Sequence, residues 1–87
     1  MKVFVTLANA MGGLDFRGAH RTAPEPKAGE RVLEVAVIGN QPDPQVVYIA
    51  QTYDRSMDVH NFEGVYGDYE PARAASGPRG VALKIEI

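Results

Sequence analysis

The chain has 87 residues, of which 45% are hydrophobic and 23% charged, so we expect one globular domain spanning 1–87. It contains no cysteine, which excludes disulfides, thiolate metal sites and cysteine nucleophiles. Nine basic and eleven acidic residues give a net charge of −2, so we expect no direct binding of nucleic acid.

The first residues alternate in the way that a strand does. Val3, Val5 and Leu7 share one face of the stretch 2–8, which repeats every two residues. Its apolar part is too short for the core of a signal peptide, and no run in the chain reaches the ~18–20 apolar residues that span a bilayer. We therefore predict a strand here, no membrane partner and a cytoplasmic location.

Two long apolar runs dominate the middle of the chain. Glycines and prolines before them leave room for a short strand over 14–17 and an extended loop over 22–29. The runs, 31–38 and 46–53, carry apolar residues on both faces, which is typical of strands covered on both sides. Because seven turn-type residues separate the two runs, we predict that they form a β-hairpin with a long loop.

The last third contains a short helix and a final strand. Residues 54–61 lack firm periodicity, so a helical turn and an irregular strand both stay open. A brief helix is predicted over 70–77, with Pro71 at its first position and Gly77 as its C-terminal cap. The stretch 81–87 alternates cleanly, as an antiparallel strand with one wet side does. The residues expected on its dry face are Val81, Leu83, Ile85 and Ile87.

These elements predict a mostly β fold: a small antiparallel sandwich or open barrel of four to five strands with at most one short helix. A parallel layout is disfavoured because no connection contains a long amphipathic helix. A short sheet with an unguarded edge invites a second copy of the chain, so a homo-oligomer formed through a strand edge is one expected assembly.

The segment 53–70 combines aromatic rings with negative charge. Five carboxylates and one arginine give it a charge of −4, which leaves +2 on the remainder. Tyrosines offer broad contact area with few rotatable bonds, and carboxylates attract a basic partner. We therefore predict a non-enzymatic interaction module or inhibitor that binds a protein with a basic surface. The predicted partner-binding residues are Tyr53, Asp54, Asp58, Phe62, Glu63, Tyr66, Asp68, Tyr69 and Glu70.

Two other interpretations stay open for the same segment. Asp54, Asp58, His60 and Glu63 could ligate a divalent metal or act as acid and base, which would make the protein a small enzyme. They match no named metal motif, and no nucleophile elbow accompanies them, so we expect no cofactor. The remaining interpretation is structural: the rings fill the core, and the carboxylates are the solvated side of a loop.

Overall fold

The computed structural model describes residues 1–10 and 13–87 as a mostly β fold with six strands and one helix. The elements are β1 (Lys2–Ala10), β2 (Gly13–His20), β3 (Glu30–Ile38), β4 (Val46–Asp54), β5 (Val59–Tyr66), α1 (Tyr69–Ser76) and β6 (Val81–Glu86). They form one curled, half-barrel sheet in the order β2-β1-β3-β5-β4-β6. The predicted fold class is confirmed, with one strand more than the upper expected number.

The core lies where β1 faces β4 and β5 across the curled sheet. The predicted apolar face of β1 is confirmed, because Val3, Val5 and Leu7 are fully buried. Val47 and Ile49 of β4 are fully buried with them, as is Val65 of β5. Apolar side chains that are only partly buried complete this layer: Leu14, Phe16, Val35, Val37, Phe62, Ile85 and Ile87.

The predicted hairpin between the two central runs is wrong. β5 lies between β3 and β4, pairing antiparallel with β4 and parallel with β3. The parallel pairing involves only Val37 with Val65 and Ile38 with Tyr66. A tight turn over 55–58 joins β4 to β5. The longer loop over 39–45 joins β3 to β4, which are not neighbours because β5 lies between them. Apolar runs identified the strands but not their neighbours.

The two apolar runs also differ in how they are covered. β4 is buried on both faces, as predicted, because the core packs on one side and α1 packs on the other. β3 is not: Leu33 is 37% exposed and Ile38 is 50% exposed. The helix α1 packs on β4, β5 and β6, so it covers that half of the sheet and leaves the outer face of β3 uncovered.

The predicted helix is confirmed over Tyr69–Ser76, and Gly77 is its C-terminal cap. The helix begins earlier than expected: Asp68 is the N-terminal cap, which makes Pro71 the third helical residue rather than the first. A Cβ at Gly80 would overlap carbonyl oxygens of Ser76 and Gln51, so only glycine fits where the chain turns from α1 into β6.

The final strand alternates as predicted, but only two of the four side chains predicted on its dry face pack on the core. Ile85 and Ile87 pack on the core, whereas Val81 and Leu83 are 38% and 37% exposed. β6 is the last strand in the sheet order, so no further strand of the described chain shelters the start of its apolar face.

Candidate functional site

The predicted segment 53–70 does not form one continuous surface. It runs from the end of β4 through the turn 55–58, along β5 and into α1, so its residues fall at two ends of an eight-residue strand. One group surrounds the turn between β4 and β5. The other surrounds the start of α1. The two groups differ in how far their polar atoms are already used within the chain.

Carboxylates at the turn are engaged by neighbouring residues. Asp54 Oδ1 accepts hydrogen bonds from the Ser56 backbone and hydroxyl, at 3.0 and 2.7 Å, and from the Met57 backbone at 3.3 Å. The Tyr53 hydroxyl donates to Asp58 Oδ1 at 2.5 Å. Asp58 has a φ of 54°, a left-handed conformation that aspartate tolerates in turns. These contacts build a local turn rather than an open binding surface.

Hydrogen bonding shifts two pKa values in this turn. The Ser56 hydroxyl, helped by the Met57 and Ser56 backbone, holds the pKa of Asp54 below its ordinary value because it stabilises the carboxylate. The pKa of Tyr53 is raised, first because its hydroxyl donates to the Asp58 carboxylate and then through desolvation and the negative charge of Asp58. Both shifts reflect contacts that hold the turn together.

The four residues of the metal interpretation do not converge. Asp54 and Asp58 are engaged as described above, Glu63 accepts a hydrogen bond from the Thr52 hydroxyl at 3.1 Å, and the His60 ring lies 5.2 Å from that of Tyr53. Within residues 1–10 and 13–87, no group of three such side chains is arranged to hold a metal ion. The geometry therefore gives the metal-dependent alternative no support.

Phe62, which was predicted to bind a partner, lies on the core side of β5. It packs against the core, and its ring stacks on that of Phe16 at 6.4 Å between centroids and 16° between planes. This contact joins β5 to β2 across the curl of the sheet. Phe62 is therefore held by core packing, as the structural interpretation predicts.

The start of α1 gathers three tyrosines and two carboxylates. Tyr48 and Tyr66 stand directly opposite each other on β4 and β5, so their side chains share one face of the sheet. The ring of Tyr69 meets that of Tyr48 edge-on, with centroids 5.9 Å apart. We call Tyr48, Tyr66, Asp68, Tyr69 and Glu70 together the tyrosine–carboxylate surface.

Local backbone contacts fix the position of this surface. Asp68 caps α1 by accepting a hydrogen bond from the Tyr69 backbone at 2.8 Å. The Gly67 backbone donates to the Ile38 carbonyl at 3.0 Å, and a Cβ at Gly67 would overlap the Asn40 carbonyl. Glycine is therefore required for the loop over 39–45 to approach the start of α1.

The polar groups of the tyrosine–carboxylate surface remain largely available. Tyr69 is 44% exposed, Tyr48 and Tyr66 are half-buried, and Asp68 and Glu70 are exposed. Among the described residues, the ion pairs join Lys2 to Glu34 and Arg17 to Asp15, so none engages these two carboxylates. The nearby Arg73 donates to the Gly77 carbonyl instead. None of the three tyrosine hydroxyls makes a hydrogen bond within the described part of the chain.

A small cavity and an apolar residue border the surface. The cavity, of about 90 Å³, lies between the loop over 39–45 and the start of α1, and its lining includes Tyr48, Asp68, Asp43 and Lys84. Ile38, half exposed, lies beside Tyr66: both approach within 4 Å of the position that a Cβ on Gly64 would take. The surface therefore offers a charged edge and an apolar edge around its rings.

Sequence reasoning missed Tyr48 and Ile38 as members of this region. Each lies in a run interpreted as strand core, and each reaches the surface only because β5 pairs with both β3 and β4. The alternation of β4 signals that Tyr48 shares a face with Val46 and Ala50. No sequence signal identified which strand would lie opposite.

No helix of the described residues is long and apolar enough to cross a membrane. No protein family, curated protein or solved structure matched this chain.

Proposed function

We propose that this protein is a non-enzymatic interaction module that binds a basic protein partner through the tyrosine–carboxylate surface. One observation carries the proposal: Tyr69, an exposed ring held edge-on by Tyr48, stands between two exposed carboxylates that no cation of the described chain engages. An arginine on a partner could stack on the ring and pair with Asp68 or Glu70 at the same time.

The start of α1 suits this role better than the turn between β4 and β5. At the turn, the Tyr53 hydroxyl is committed to Asp58, and Asp54 already accepts three hydrogen bonds. A partner binding there would have to replace those contacts. Glu70 accepts no hydrogen bond within the described residues, and Asp68 uses one oxygen to cap α1, which leaves its other oxygen for a partner.

The charge of the surface itself supports a basic partner. Asp68 and Glu70 concentrate two negative charges on the tyrosine–carboxylate surface, whose five residues include no cation. Such a concentration speeds the approach of a cationic surface more than it strengthens the final complex. Aromatic rings in the middle of the surface supply the contact area that short-range binding requires.

The proposal is tested with an oligo-arginine peptide as the probe, followed by fluorescence anisotropy at ~0.05 M and ~0.2 M salt. The variant is the pair Asp68→Asn and Glu70→Gln, because asparagine caps a helix as well as aspartate does. We expect its affinity to fall about threefold to tenfold, since the variant loses two exposed ion pairs that contribute about 0.2–1 kcal/mol each.

A matched control separates site recognition from net charge. The pair Glu25→Gln and Glu34→Gln also removes two negative charges from exposed positions outside the segment 53–70, one of which, Glu34, is the partner of Lys2 in an exposed ion pair. We expect this control to bind within about twofold of the unmodified protein, because a distant exposed charge is screened. Equal losses for both pairs would mean that only overall charge attracts the peptide, and the proposed surface would be abandoned.

A further inference from the structure

The outer edge of β6 has unused backbone groups. β6 pairs with β4 on one side and ends the sheet on the other. The Ile87 backbone donates to the Gln45 carbonyl at 2.8 Å, and Ile85 lies opposite Val47. Because backbone groups alternate in direction along an antiparallel strand, those of Lys84 and Glu86 point away from β4. Within residues 1–10 and 13–87 no strand pairs with these groups, so they can pair with a strand of another chain.

The side chains along this edge complement themselves. Lys84 and Glu86 are exposed on the face that carries Tyr48, which lies opposite Lys84. Leu83 lies opposite the buried Ile49 on the core face, yet it is 37% exposed. The edge therefore has an alternating charge pair on one face and an uncovered apolar residue on the other.

We propose that two copies of this chain pair through β6, antiparallel, about a two-fold axis at Ile85. This register places Lys84 of each copy opposite Glu86 of the partner subunit and forms both charge pairs at once. The free backbone groups of Lys84 and Glu86 then make four inter-subunit hydrogen bonds. Leu83 gains Ile87 of the partner subunit as a neighbour on the core face.

Charge disfavours the adjacent registers. Only registers that set Lys84 and Glu86 against the partner's even-numbered positions use the free backbone groups. A shift of two residues in one direction sets Lys84 opposite Lys84 of the partner subunit. The same shift in the other direction sets Glu86 opposite Glu86 of the partner subunit, and like charges directly opposite each other are destabilising. The opposite edge of the sheet is less suitable, because β2 pairs with β1 through an irregular register near Thr6 and Leu7 that bends the strand.

The pairing does not depend on the proposed function, although it would affect it. A two-fold axis perpendicular to the sheet leaves both copies of Tyr48 on the same face of one continuous sheet. The two tyrosine–carboxylate surfaces would then be presented side by side to a single basic partner, and binding at one would raise the effective concentration at the other.

The test is a charge swap followed by sedimentation or light scattering across a dilution series. The unmodified chain is expected to form a dimer whose fraction rises with concentration. Lys84→Glu alone and Glu86→Lys alone each set like charges opposite one another, so we expect dissociation constants roughly tenfold or more above that of the unmodified chain. The double variant K84E/E86K restores opposite charges and is expected to restore the dimer.

Two controls make the result decisive. Lys27→Glu and Glu25→Lys change net charge by the same amounts at exposed positions away from β6 and should leave dimerisation unchanged. Thermal unfolding of each variant checks that the fold is retained. The β6 pairing would be overturned if the unmodified chain is a monomer at all concentrations, or if neither single change raises the dissociation constant of the dimer. It would also be overturned if the double variant dimerises no more tightly than the single variants.

Discussion

The ring of Tyr69, the first residue of α1, meets the ring of Tyr48 in β4 edge-on, with 5.9 Å between centroids and 74° between planes. This contact ties the beginning of the helix to the sheet and holds an exposed ring between Asp68 and Glu70. It gives the tyrosine–carboxylate surface a fixed shape, because aromatic pairs favour this edge-to-face geometry.

Replacing Tyr69 separates the contribution of the ring from that of its hydroxyl. Tyr69→Ala removes the edge-on contact, so we expect a loss of about 0.5–1.5 kcal/mol in the free energy of unfolding and weaker binding of the oligo-arginine peptide. Tyr69→Phe keeps the ring and should retain both properties to within about 0.5 kcal/mol. Urea unfolding and anisotropy measure the two effects. Equal behaviour of the two variants would contradict a role for the ring.

Gly67 tests whether the loop over 39–45 positions the surface. Gly67→Ala places a Cβ on the Asn40 carbonyl, and because this is backbone the loop must shift. We expect a destabilisation of about 1–3 kcal/mol, which is the range for overpacking. Gly64→Ala is the matched control, since its Cβ would make ordinary contacts at 3.4 and 3.9 Å with Tyr66 and Ile38. A stable Gly67→Ala beside a destabilised Gly64→Ala would contradict the described packing.

Acid should weaken the turn between β4 and β5 through Asp54. The pKa of Asp54 is lowered in the folded state, so its carboxylate stabilises the fold above the unfolded pKa of about 3.9. This contribution is lost as pH falls from about 4 through the lowered folded pKa. Asp54→Asn should therefore be less stable than the unmodified protein at pH 7, and the difference should shrink in acid. Urea unfolding midpoints of both proteins at pH 7 and in acid measure this difference in stability. A difference that stays constant between the two conditions would contradict the lowered pKa of Asp54.

Raising the pH should weaken the same turn through Tyr53. Its folded pKa is raised because the hydroxyl donates to Asp58, so the protonated form stabilises the fold, and this stabilisation is lost as pH rises through the folded pKa. Phenolate absorbance of the four tyrosines should include a late component that disappears in Tyr53→Phe. The same component should move to lower pH in Asp58→Asn. A late component that survives Tyr53→Phe would assign it to another tyrosine.

Local patterns in the sequence predicted elements well and neighbours poorly. The alternation of Val3, Val5 and Leu7 identified β1 and its buried face, and Gly77 identified the end of α1. The mistaken hairpin arose because apolar runs state that a strand is buried but not which strand lies beside it. The true partner of the second run is the segment 59–66. Its period of two is disturbed by a β-bulge at Glu63, because Gly64 pairs with Ala50 and Phe62 pairs with Gln51.

The candidate surface was predicted in the same partial way. Composition drew attention to 53–70, and Tyr66, Asp68, Tyr69 and Glu70 do lie together at the start of α1. Composition could not distinguish these four residues from those at the turn 55–58. The two groups lie apart only because β5 runs between them, and composition does not predict the length and direction of a strand. Tyr48 joins them through strand pairing alone, across a separation in sequence that no local pattern spans.

The most direct test is to map the binding of the oligo-arginine peptide onto individual residues by following backbone amide chemical shifts in the labelled protein. We predict saturable shifts at Tyr48, at 66–70 and at Ile38, with small changes in the turn 55–58. Shifts centred on that turn, or spread evenly over every exposed carboxylate, would contradict the claim that the tyrosine–carboxylate surface recognises a basic partner.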